Sequence, residues 1–159
     1  MDLYEELRDV VKALNRRGLD YAICGGVALA LHGHPRFTDD IDILILPDDL
    51  DEIQDAAKSC GFLDSSGRIP FDQCDVHRIV KIQGAEFLVL DLLLVNDVLE
   101  EIWQSRVDFD WQEERLRVVS AEGLASMKRM AGRDQDLVDL KNMGIPDGND
   151  RTEQSEPPK

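Results

Sequence analysis

The 159 residues carry 33 acidic against 18 basic side chains, a formal net charge of −15, with 43% hydrophobic and 32% charged residues. That composition belongs to a soluble globular chain long enough to bury a core, not to a disordered, fibrous or membrane-spanning one. The excess of negative charge repels nucleic-acid phosphates and disfavours an RNA or DNA partner.

The opening stretch MDLYEELRDVVKALNRRG is acidic and amphipathic and has no signal-peptide architecture. Leu3, Leu7, Val10, Val11 and Leu14 recur at helical spacing, and Gly18 is a suitable stop, so a helix is predicted over 3–17. YAIC reads as a short strand running into Gly25-Gly26, and VALALHG as a small helix opened by those glycines. DIDILIL is a second strand closed by Pro47, and DDLDEIQDAAKSCG an amphipathic helix with an acidic first turn. DSSGRIP reads as a polar loop. VHRIVKI and EFLVLDLLLV form a hairpin about Gln83-Gly84, followed by a short helix in DVLEEIWQ. RVDFDW and LRVVS, on either side of QEER, form a second hairpin. Ser120 caps a helix through AEGLASMKRMAG, and RDQDLVDLKNMG supplies the last helical segment.

Residues 146–159 are polar and are expected to be a disordered acidic tail. Its net −2 leaves −13 on the remainder, so the acidity is not a tail effect. Helices interleaved with hairpin-joined strands predict one α+β domain over 1–145, with helices packed on a mixed sheet. Cys24, Cys60 and Cys74 form no CxxC pair and are expected to be free thiols of a reducing cytoplasm.

The chemistry concentrates in RFTDDIDILIL, residues 36–46. Side chains of a strand alternate faces, so Asp40 and Asp42 point the same way. Two adjacent anions repel, and burying either one unpaired is costly, so a cation is expected between them. Asp91 stands in FLVLDLLLV with four apolar residues on each side. If its strand lies beside that of Asp40 and Asp42, the three carboxylates converge into an oxygen-only cluster suited to Mg²⁺ or Mn²⁺. A neighbouring arginine or backbone group holding Asp91 is the plainer alternative. Gly25-Gly26 lets a backbone approach a ligand closely, or is only a tight turn; it is neither a Walker loop nor a GxGxxG fingerprint. His77 and Arg78 precede the Asp91 strand and could face the site. His32 and His34 suit a helix end better than a metal, Trp103 and Trp111 suit the core, Asp39 suits solvent, and Arg36 is expected to pair with Asp39.

The order of these pieces resembles the nucleotidyltransferase superfamily whose best-known member is DNA polymerase β. The resemblance covers about residues 20 to 95: a strand, the glycine pair, a short helix, Arg36-x-Thr38-x-Asp40-x-Asp42, and a later strand carboxylate at Asp91. The segment VVSAEGLASMKRMAGRDQDLVDLKNM is similar to the Lys-and-Arg-x-x-Asp segment of bacterial minimal and AbiEii-like nucleotidyltransferases. Several of those belong to toxin–antitoxin systems, and relatives modify small antibiotics.

The resemblance implies transfer of a nucleoside monophosphate from an NTP such as ATP to an acceptor hydroxyl, with loss of pyrophosphate. It implies that Asp40, Asp42 and Asp91 hold the metal ions, with Asp91 also the candidate base. Gly25 and Gly26 would cradle the β and γ phosphates, with Arg36 and Thr38 touching phosphate or steadying the loop. Lys128 would face the triphosphate, and Arg133 and Asp136 would lie near the nucleotide. The sequence departs from the family's pattern in two places. Gly25-Gly26 stands where Gly-Ser is common, and no large helical domain is present to hold the acceptor, so a protein partner or homodimer is expected to complete that pocket. The acidic surface favours a protein hydroxyl or a cationic small molecule over RNA. The rival expectation is a catalytically silent, antitoxin-like subunit that binds nucleotide or a partner.

Overall fold

The computed structural model of the chain describes residues 1–70 and 73–145; the expected tail at 146–159 lies outside them. The first helix, α1 (Leu3–Arg16), starts where Asp2 accepts hydrogen bonds from the Tyr4 and Glu5 amides, and it buries Leu7, Val10, Val11 and Leu14. Strand β1 (Ala22–Cys24) runs directly into α2 (Gly25–Leu31). Strand β2 (Asp40–Ile45) leads through a 3₁₀ turn at Pro47–Asp49 into α3 (Leu50–Ser59). Three strands follow, β3 (Leu63–Pro70), β4 (Asp75–Gln83) and β5 (Glu86–Leu94). Then come α4 (Glu100–Gln104), the hairpin β6 (Val107–Trp111) and β7 (Glu114–Val118), and the helices α5 (Ala121–Ala131) and α6 (Asp134–Asn142).

The strands form one sheet in the order β3-β4-β5-β2-β1-β7-β6. The β2/β5 and β1/β7 pairs are parallel and the others antiparallel, which makes the sheet mixed and the fold α+β. On β2 and β5 the alternate residues Ile41, Ile43, Ile45, Leu88, Leu90 and Leu92 are buried on one face. Lys81 on that face ties β4 to α1 through Glu6 at 2.6 Å. Each such buried side chain contributes about 1.5–3 kcal/mol. That anchors the two strands firmly enough for their opposite face to carry carboxylates.

Two expectations are corrected by the architecture. DSSGRIP is not a loop but most of β3, an edge strand paired antiparallel to β4 with a register shift between Asp64 and Arg68. Gly and Ser disfavour strand locally, but pairing with β4 supplies the ladder, and the irregularity suits an edge. The QEER connection shrinks to Gln112-Glu113, both at positive φ (48° and 67°), so β7 begins at Glu114. Two left-handed residues make the tight turn that matches strand twist.

Candidate functional site

In the parallel ladder of β2 and β5, Asp42 lies opposite Asp91 and Asp40 opposite Val89. Register therefore places Asp40, Asp42 and Asp91 on one face, and each offers a carboxylate oxygen within 4.8 Å of the other two. Thr38 Oγ1 donates to Asp40 Oδ1 at 3.3 Å and steadies it. Burial first, then the charges of Asp40 and Asp91, push the Asp42 carboxyl up to about 7.

The glycine pair is required by this carboxylate. Gly25 has φ +65°, and a Cβ there would stand 2.2 Å from Asp42 Oδ2. A Cβ at Gly26 would meet Thr38 Oγ1 at 2.7 Å. Cys24, opposite Asp42 in the β1/β2 ladder, is buried, and burial first and Asp42 second push its thiol well above the usual range. It is not a ready nucleophile.

Arg78 lies opposite Asp91 in the β4/β5 ladder and faces the site. Its Nε donates to Asp91 Oδ1 at 2.8 Å and its Nη2 to Oδ2 at 2.9 Å. Both sequence readings of Asp91 therefore hold at once: it joins the carboxylate cluster and it is held by an arginine. His77 alternates onto the opposite face, paired with Leu92.

A second set of charges faces the first. Lys128, nearly fully buried, donates to Asp139 Oδ2 at 2.7 Å and lies 3.8 Å from Asp136 Oδ1. Arg36 does not pair with Asp39, which is exposed as expected. Its fork closes on Asp139 instead, Nε to Oδ1 at 2.8 Å and Nη2 to Oδ2 at 2.9 Å. A desolvated carboxylate offers an arginine a stronger bidentate pair than an exposed neighbour does. Gln135 adds a fourth bond to Asp139 at 2.9 Å. Burial alone would raise the Asp139 carboxyl, but Arg36, Lys128 and Gln135 outweigh it and hold it at about 2. Arg133 Nε donates to Asp136 Oδ2 at 2.7 Å, and its own amide donates to the same oxygen at 3.1 Å.

All ten residues singled out in the sequence (Gly25, Gly26, Arg36, Thr38, Asp40, Asp42, Asp91, Lys128, Arg133 and Asp136) line one cavity of about 480 Å³, a size suited to a small-molecule ligand. Val76, Leu93, Met127 and Met130 supply its apolar wall. Sequence reasoning missed Asp139. The available signal was an aspartate three residues after Asp136 and directly before buried Leu140, a position on the inward face of α6. His32 ends α2 with Nε2 2.8 Å from the Val119 carbonyl oxygen, Trp103 is buried, and Trp111 packs half-buried against the core. The three cysteines are free. No helix among the described residues is long and apolar enough to cross a membrane.

The sequence matches, over residues 1–150, the family described as nucleotidyltransferase of unknown function (DUF6036), and the chain belongs to that nucleotidyltransferase family. A comparison with curated proteins gives no match. Among solved structures, a provisionally named nucleotidyltransferase from Thermotoga maritima is similar, with 16% identity and a TM-score of 0.64, over 88% of this chain and 91% of that one. The antibiotic-resistance factor ANT(2'')-Ia in solution shares 16% identity at a TM-score of 0.62, over 89% of this chain and 83% of its own. Lincomycin-bound LnuA, a lincosamide antibiotic adenylyltransferase, shares 12% identity at 0.60, over 88% and 95%. At these identities the likeness is one of fold.

Proposed function

We propose that this chain moves a nucleoside monophosphate from an NTP to an acceptor hydroxyl with the help of a divalent cation. The observation that carries the reading is the polarity of the cavity. Three carboxylates converge on one wall, and Arg36, Lys128 and Arg133 stand on the other. An oxygen-only donor set, with one member's carboxyl raised by its neighbours' charge, suits a hard cation such as Mg²⁺ or Mn²⁺. Asp40, Asp42 and Asp91 would hold it, and when bound it would neutralise phosphate charge and polarise the reacting oxygens.

The chain's own residues do the rest. Gly25 and Gly26 let the Asp42 carboxylate and Thr38 close against the backbone, and Lys128, Arg133 and Arg36 balance the triphosphate. Asp136 and Asp139 keep those cations aimed. The acceptor oxygen bonds to the α-phosphorus, the bond to the α–β bridging oxygen breaks, and pyrophosphate leaves with the electron pair. The hydroxyl proton passes to Asp91 once Arg78 yields one of its oxygens. The acceptor is a hydroxyl of a protein or a small molecule rather than RNA, and the reaction runs in the cytoplasm with residues 1–145 as the working unit. Calorimetry of NTP binding with and without Mg²⁺ tests this reading. Metal-dependent binding that Asp40→Asn abolishes supports it, and equal binding without metal contradicts it.

One observation favours a second reading, a silent nucleotide-binding subunit of a toxin–antitoxin pair. Arg78 engages both oxygens of Asp91, the carboxylate a catalyst would use on its acceptor. On that reading NTP binds but pyrophosphate is never released, whichever acceptor is supplied.

A further inference from the structure

The face of the sheet that carries the carboxylates continues past them, uncovered. Along the β4/β5 ladder, successive rungs on this face are Val76/Leu93, Arg78/Asp91, Val80/Val89 and Ile82/Phe87. The first two rungs line the cavity. The third is half-buried, and in the last Ile82 and Phe87 are 71% and 68% exposed. Leu63 of β3, opposite Val80 and 63% exposed, widens the strip. Grouped on one sheet face, these exposed apolar side chains offer area that a partner could bury. At about 3.3 Å per residue the strip reaches about 13 Å from Asp91 to Phe87, and three strands about 4.8 Å apart make it about 10 Å wide. Those dimensions match the width of one helix lying on the sheet.

We propose that this strip docks an apolar segment of a partner protein, and that a serine, threonine or tyrosine of that segment is the acceptor hydroxyl. The inference rests on the nucleotide-transfer reading above and names its acceptor. The exposed rungs lie outside the residues that line the cavity, which suits a polypeptide better than an enclosed small molecule. Its inner end abuts Asp40 and Asp91, so a docked segment delivers its hydroxyl beside the carboxylates, while the NTP fills the cavity. A second copy of this chain is a poor occupant: each carries −15, and a face-to-face pairing would oppose two carboxylate clusters. The complementary occupant is apolar with a basic flank that meets exposed Asp39. After transfer, the partner's oxygen carries the nucleoside monophosphate through a phosphodiester bond, with pyrophosphate released.

The test uses full-length protein, ATP labelled at the α-phosphorus, Mg²⁺, and extract of the source cells, with protein, RNA and small-molecule fractions read separately. Its arms are wild type, Ile82→Glu/Phe87→Glu and Asp42→Asn, and Mg-dependent ATP binding is measured for each. The expected result is label on a polypeptide hydroxyl, absent with Asp42→Asn. The surface double variant should reduce that label about tenfold or more, as loss of interface anchors does, with ATP binding intact. Label on a small molecule or RNA, or protein label undiminished in the double variant, overturns the proposal and leaves nucleotide transfer standing. Bound ATP with no label in any fraction overturns both.

Discussion

The two walls of the cavity treat their carboxylates in opposite ways. On the α5/α6 side, Asp139 is fully buried yet receives bonds from Arg36, Lys128 and Gln135, and is held at about 2. On the β2/β5 side, Asp40, Asp42 and Asp91 crowd together with Arg78 on Asp91, and Asp42 is pushed up to about 7. The first wall is a satisfied ionic network that holds helices to the loop before β2. The second is left short of positive charge, which is what the proposed cation would supply.

Breaking the satisfied wall should cost most. Asp139→Ala leaves Arg36 and Lys128 without their buried anion, so a loss of about 3–5 kcal/mol in urea unfolding is expected. A loss under about 1 kcal/mol, the scale of a surface ion pair, would show that the network is not what joins the helices to the loop.

The carboxylate wall should show itself through pH. Asp42 has a native value of about 7 against an ordinary 3.8, so the folded protein keeps a proton that the unfolded chain gives up. Without metal, stability is therefore expected to fall as pH rises from the ordinary carboxylate range through 7. Asp139 works the other way: held at about 2 against 3.8, its contribution is present above the ordinary value and lost as pH falls through about 2. Urea midpoints across pH 4–8 should decline with rising pH for the wild type and lose that slope in Asp42→Asn or with saturating Mg²⁺. An unchanged slope in Asp42→Asn would remove Asp42 as its source.

Gly25→Ala sharpens the comparison at shorter range. The added Cβ would sit 2.2 Å from Asp42 Oδ2 on a backbone of φ +65°. A loss of about 1–3 kcal/mol is expected from that strain, together with weakened Mn²⁺ binding. Binding that matches the wild type would show that the glycine is not needed to shape the carboxylate wall. The smallest effect lies far from both walls. Replacing Gln112-Glu113 with Asn-Gly relieves two left-handed residues and should add about 0.5–1 kcal/mol without altering NTP binding.

The sequence was legible where residue type fought its surroundings. Three aspartates beside or inside runs of Ile and Leu are costly unless something pairs with them, and with the glycine pair between strand and helix they mark the cluster in the sequence. Alternation and helical spacing locate the helices and six of the seven strands among the described residues. What stayed hidden depended on distant pairing. DSSGRIP has turn composition and becomes strand only because β4 offers a ladder. Arg36 meets Asp139 across 103 residues, and no local pattern selects that aspartate over adjacent Asp39. Arg78 was visible as a candidate, but its hold on Asp91 follows from hairpin register rather than from spacing alone.

The most direct test of the central claim is pyrophosphate release from each NTP with Mg²⁺ and acceptor-containing extract, comparing wild type with Asp42→Asn. Nucleotide transfer at the carboxylate wall requires release that depends on Mg²⁺ and falls about 10³-fold or more in the variant. Release that persists in Asp42→Asn, or none from a wild-type protein that binds Mg-NTP, would contradict it.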